Sequence, residues 1–108
     1  MAQQLEMFRP QGQDAVARYL HLTRNVMPGL ARARGWPVVH DHCFQRIVLD
    51  NVAGGVWYDR IARPAHRNLT AAQAATALAL CEAIIAGRAD LHQLNAASLR
   101  WRGKARRP

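Results

Sequence analysis

Apolar residues return at steps of three and four along most of this chain. Nowhere do they alternate for a useful length in the period of two that marks a strand. From Gln13 onward, Val16, Tyr19, Leu20, Thr23, Val26, Met27 and Leu30 trace one face of a helix. Pro28 lacks a backbone donor and crowds the preceding turn, so this helix is expected to stop or kink near Met27. Residues 29–34 read as a short second piece, ended by Gly35 and then Trp36-Pro37.

Val38-Val39-His40 reads as extended chain leading to a second helix, for which Asp41 is the expected N-cap. That helix shows Phe44, Ile47, Val48 and Val52 on one face and is weakened at Gly54-Gly55. Residues 56–61 read as a further turn of helix, and residues 62–68, around Pro64, as a loop. Thr70 and Gln73 then form a capping box ahead of an alanine-rich run. In that third helix Ala74, Ala77, Leu78, Cys81, Ile84 and Ile85 define the buried face, and Gly87 closes it. Asp90 and Gln93 open a last helix, whose inward face reads Leu91, Leu94, Ser98 and Trp101. The expected fold is all-α: a small single-domain bundle of four main helices, with a short kinked extension after the first. Residues 1–10 read as a loose lead-in, 11–101 as the helical domain and 102–108 as a basic tail.

At 108 residues, half of them hydrophobic, there is material for one core and one pocket or binding face. The net charge of +8 is unevenly placed. Residues 1–99 hold ten Lys or Arg against seven Asp or Glu, a balance of +3. The rest is Arg100, Arg102, Lys104, Arg106 and Arg107, with no acid among them. Such a tail holds phosphates by charge alone and marks these five as candidate nucleic-acid contacts. A helix-turn-helix reading of the last two helices meets an obstacle, because no Lys or Arg lies between Thr70 and Ala86 to meet a DNA backbone.

Cys43 and Cys81 stand 38 residues apart, with no secretory apolar stretch near the N-terminus. A cytoplasmic location with reduced thiols is therefore expected. The longest apolar run, Ala71 to Ala86, is broken by Gln73, Thr76 and Glu82 and is too short for a membrane span. No membrane partner is expected.

The chemistry concentrates in residues 36–58, which carry Trp36, His40, Asp41, His42, Cys43, Arg46, Asp50, Trp57 and Tyr58. On a helix starting at Asp41, the side chains of His42, Arg46 and Asp50 fall in one line, so Arg46 is expected to pair with Asp50. Cys43 lies in the first turn, near the positive end of the helix dipole. Three functional readings follow. In the first, Cys43 is the nucleophile of a group-transfer enzyme resembling an acyltransferase, with His40 or His42 as base. In the second, His40, His42 and Cys43 hold zinc with Asp41 or Asp50, although neighbouring residues on a helix point in different directions. In the third, Arg46, Asp50, Trp36, Trp57 and Tyr58 form a pocket for an anionic ligand.

Beside these stands plain packing: a small buried cysteine, solvated histidines and a surface Arg–Asp pair. A second basic patch, Arg60, Arg63, His66 and Arg67, surrounds Pro64. Asn95 and Ser98 share a side with Leu91 and Trp101, so each either satisfies a backbone group or faces a pocket. Phosphate-cradling glycine loops, zinc-spaced cysteine pairs and Gly-x-Ser-x-Gly elbows are absent. The expectation is a basic helical protein that binds an anionic partner, either nucleic acid or a phosphate- or carboxylate-bearing ligand, without a cofactor or metal. The alternatives are the Cys43 enzyme and an accessory subunit docking on a protein partner.

Overall fold

Every run with helical spacing is helical in the computed structural model, which describes residues 11–103. The lead-in and the cations Lys104, Arg106 and Arg107 lie outside the described residues. The elements are α1 (Gln11–His21), a π turn (Leu22–Val26), α2 (Met27–Leu30), α3 (Asp41–Ala53), a 3-10 turn (Trp57–Asp59), α4 (Ala65–Asn68), α5 (Ala71–Ile85) and α6 (Leu91–Trp101). No strand occurs among the described residues, and no described helix is long and apolar enough to cross a membrane.

The first helix does not stop at Pro28, since helical residues continue to Leu30. It widens over the preceding residues, where the Met27 amide bonds the Leu22 carbonyl five residues back. Thr23 is buried in this wide turn, and its hydroxyl donates to the Tyr19 carbonyl at 3.0 Å. Gln45 Nε2 on α3 donates in turn to Thr23 Oγ1 at 3.2 Å. The helix then ends as the sequence expects. Gly35 takes the left-handed conformation (φ 63°), with Trp36 N bonded to Ala31 O and Gly35 N to Arg32 O. The same closure recurs after α5, at Gly87.

Helix α3 is the centre of the molecule. It packs against α2, the π turn, the 3-10 turn, α5 and α6. Phe44, Ile47, Val48, Leu49 and Asp50 are all buried, a broader face than a single stripe. Leu49 and Asp50 face inward because neighbours cover α3 on several sides, whereas Val52 is only half-buried. Its N-cap is His40 rather than Asp41. Asp41 sits one residue inside, where its carboxylate accepts from the His42 amide at 2.7 Å and meets the positive end of the helix.

The Thr70–Gln73 capping box is complete, with Gln73 N to Thr70 Oγ1 at 3.0 Å and Thr70 N to Gln73 Oε1 at 2.9 Å. Ala74, Ala77, Cys81 and Ile84 are buried on α5, which packs along α1. Asp90 caps α6 by accepting from the His92 amide. Trp101 departs from the expected inward face: at the end of α6 it is 41% exposed. The segment around Pro64 is not all loop either, since residues 65–68 form the single turn α4.

Candidate functional site

The expected line of His42, Arg46 and Asp50 exists, but it runs from solvent into the core. Four residues turn an α-helix by 400°, so each step of four drifts about 40° around the axis. His42 is accordingly exposed, Arg46 half-buried and Asp50 fully buried. Arg46 and Asp50 do not pair directly; both meet Ser98 on α6, and beyond it Asp50 takes Arg102 while Arg46 takes Asn95.

Asp50 is held by four donors. Arg102 closes on it with two hydrogen bonds, Nε to Oδ2 at 2.7 Å and Nη2 to Oδ1 at 3.0 Å. Ser98 Oγ donates to Oδ2 at 2.6 Å, and the Trp57 amide donates to Oδ1 at 3.0 Å. Burial alone would raise the Asp50 pKa; the bonds from Arg102, Ser98 and the Trp57 amide outweigh it and hold the carboxyl below its usual value. Arg102, which the charge pattern groups with the tail, is therefore engaged in the core of the bundle. The bond to Asp50 raises its own pKa.

Arg46 is bound differently. Its guanidinium donates from Nη1 to Ser98 Oγ at 2.7 Å and from Nη2 to Asn95 Oδ1 at 2.9 Å, both neutral oxygens. Burial lowers its pKa, and the like charge of Arg102 adds to this against the opposing influence of Cys43 and Asp50. Arginine nonetheless remains a cation at any ordinary pH. Ser98 thus bridges two ionic centres: it accepts from Arg46 and donates to Asp50. Asn95 and Ser98 face a side chain rather than a backbone group or an empty pocket.

In front of Arg46 opens a cleft of about 410 Å³. It lies where the widened end of α1, the middle of α3 and residues 63–66 come together. Leu20, Leu49, Trp57, Pro64 and Ala65, with Tyr19, give it apolar walls. Its polar lining is Arg24, Arg46, Arg63, His42, His66 and Gln45, with no carboxylate. Among the described residues no carboxylate stands at ion-pair distance from Arg24, Arg46 or Arg63.

The remaining sequence candidates divide. Trp57 is a cleft wall, and Tyr58 stands at the rim, 44% exposed, with its ring edge-to-face against Trp57. The guanidinium of Arg63 lies 4.5 Å from the Tyr58 ring centre and that of Arg102 5.3 Å. Trp36 belongs elsewhere: it packs edge-on against Phe44 and carries Arg34 over its face. His40 is exposed and stacks on His42 with ring centres 5.6 Å apart. Cys43 is half-buried and outside the cleft lining; its side chain meets Arg46, and its link to the histidines is through the backbone, where its amide donates to the His40 carbonyl at 3.0 Å. Arg100 is exposed on the last turn of α6. Among the described residues no group of three or more His, Cys, Asp or Glu gathers as a metal site.

Sequence reasoning missed Tyr19, Leu20, Arg24 and Gln45 as cleft residues. Periodicity assigns Tyr19 and Leu20 to the core and gives no reason to single out Arg24, whose position depends on the π turn. The patch around Pro64 was visible as a charge cluster, and Arg63 and His66 are its contribution. Set against family models, curated proteins and solved structures, the chain has no significant match to any of them.

Proposed function

We propose that the protein binds an anionic partner, whose phosphate or carboxylate enters the cleft and pairs with Arg46. One observation carries this reading. A half-buried guanidinium is held in place by two neutral oxygens, while Asp50, the acid nearest in sequence, is taken by Arg102. A partly desolvated cation without a counter-ion costs free energy unless an anion completes it. Arg46 keeps N–H donors beyond those used by Ser98 and Asn95, and its fork suits the two oxygens of a carboxylate or phosphate. Arg24 and Arg63 add positive potential around the same hollow, His42 and His66 add ring nitrogens to its lining, and its apolar walls strengthen each charge contact by excluding water.

Calorimetric titration with pyrophosphate and with citrate at low ionic strength tests the reading. Saturable binding to the wild-type protein is expected, with a loss of tenfold or more in Arg46→Ala and a partial loss in Arg46→Lys, which keeps the charge but not the fork. The reading fails if neither anion binds, or if a folded Arg46→Ala protein binds them as the wild type does.

A further inference from the structure

The cleft does not end at its own rim. Trp57 forms a wall inside it, Tyr58 stands outside against Trp57, and Arg63 reaches from the cleft lining to the Tyr58 ring. Beyond Tyr58 lies Arg102, and the sequence continues with Lys104, Arg106 and Arg107. Among the described residues, cations and flat rings therefore adjoin one another from Arg63 in the cleft lining to Tyr58 and Arg102 at its rim.

The two guanidiniums at Tyr58 differ. Arg102 is fixed, since Asp50 holds it through two bonds. Arg63 is exposed and, among the described residues, has no carboxylate partner. Arg63 is thus the one able to swing toward a phosphate, and in doing so it uncovers the tyrosine ring.

We infer that the partner is a single-stranded nucleic acid, which seats one phosphate on Arg46 in the cleft, carries the next past Arg63, and stacks a base on Tyr58. This inference rests on the anion-binding reading of the cleft and narrows it to one class of polymer. A charged groove interleaved with stacking aromatics is how single strands are held without sequence preference. A duplex fits poorly. Reading one takes a convex element with free cations, such as a helix in the major groove, whereas α5 carries no Lys or Arg and these cations line a hollow. An acidic peptide would satisfy the arginines but has no planar group for Tyr58.

The test measures fluorescence anisotropy of a labelled oligodeoxythymidine of about twelve nucleotides, beside the same strand as a duplex, poly-glutamate and unlabelled pyrophosphate as competitor. Binding of the single strand is expected to be at least tenfold tighter than of the duplex or poly-glutamate. Tyr58→Ala should weaken it about tenfold and weaken pyrophosphate binding much less than Arg46→Ala does, while Tyr58→Trp should retain strand binding. Truncation after Gly103 should lower affinity without removing the Tyr58 effect. The inference is overturned if duplex or poly-glutamate binds as tightly, or if Tyr58→Ala binds the strand as the wild type does. Those results leave the cleft reading standing provided pyrophosphate still binds in an Arg46-dependent way. If pyrophosphate does not bind, or binds independently of Arg46, the cleft reading fails and takes this inference with it.

Discussion

Arg102 and Asp50, 52 residues apart in the chain, form a bidentate ion pair that ties the end of α6 to the last turn of α3. The carboxylate has no exposure, and the Arg102 side chain has 17%. The pair decides more than stability. By occupying Asp50 it leaves Arg46, which reaches the same serine from the other side, without an acid of its own.

Replacing Asp50 by Asn should be strongly destabilising. It leaves the Arg102 cation over a neutral group and turns one of the two accepting oxygens into an NH2 donor, so two of the four donors around the carboxylate lose their acceptor. Breaking one partner of a buried pair costs about 3 kcal/mol or more, readable as a lower urea midpoint at pH 7. A loss below about 1 kcal/mol would mean that the pair is dispensable.

The same carboxylate sets a pH dependence. Its native pKa lies below the unfolded value of about 3.9. Above that value both states are ionised and its full contribution is present. Below it the unfolded chain takes up a proton that native Asp50 resists, so stability falls until the native carboxyl is protonated too. The difference in urea midpoint between wild type and Asp50→Asn should stay constant from pH 7 to about 5 and shrink below about 4. A constant difference down to about pH 3 would contradict the assignment.

The two thiols should separate in a labelling experiment. Burial raises the Cys81 pKa to about 12, with the charge of Glu82 adding to it. Cys81 is fully buried on α5, whereas Cys43 is half-buried. A thiolate-specific reagent at pH 8 should modify Cys43 in the native protein and reach Cys81 only after denaturation. Mass spectrometry of the partly labelled protein reads the site, and equal labelling of both cysteines would contradict the burial described for α5.

Thr70→Ala should cost about 1 kcal/mol. The Thr70 hydroxyl satisfies the Gln73 amide, and Gln73 returns the bond to the Thr70 amide. Thermal unfolding compared with Thr76→Ala, an exposed position later in the same helix whose hydroxyl only back-bonds to Ala72 O, isolates the capping contribution. Similar effects of the two changes would show that the box adds little.

Read alone, the sequence determined the elements. Helix periods, the Thr70–Gln73 box and the turns at Gly35 and Gly87 depend on groups within about five residues of one another, and such interactions are written in adjacent letters. It also singled out His42, Arg46 and Trp57, which share one short stretch and line the cleft. Tertiary structure alone decided who pairs with whom. The expected Arg46–Asp50 pair gives way because distant residues compete for both groups: Arg102, just past α6, closes on Asp50, and Ser98 with Asn95 on α6 take the Arg46 guanidinium. The cleft, likewise, is built from segments around residues 20, 46 and 64, brought together by packing around α3. A local pattern carries no record of such distant neighbours, since what joins them is the burial of a shared core rather than any spacing along the chain.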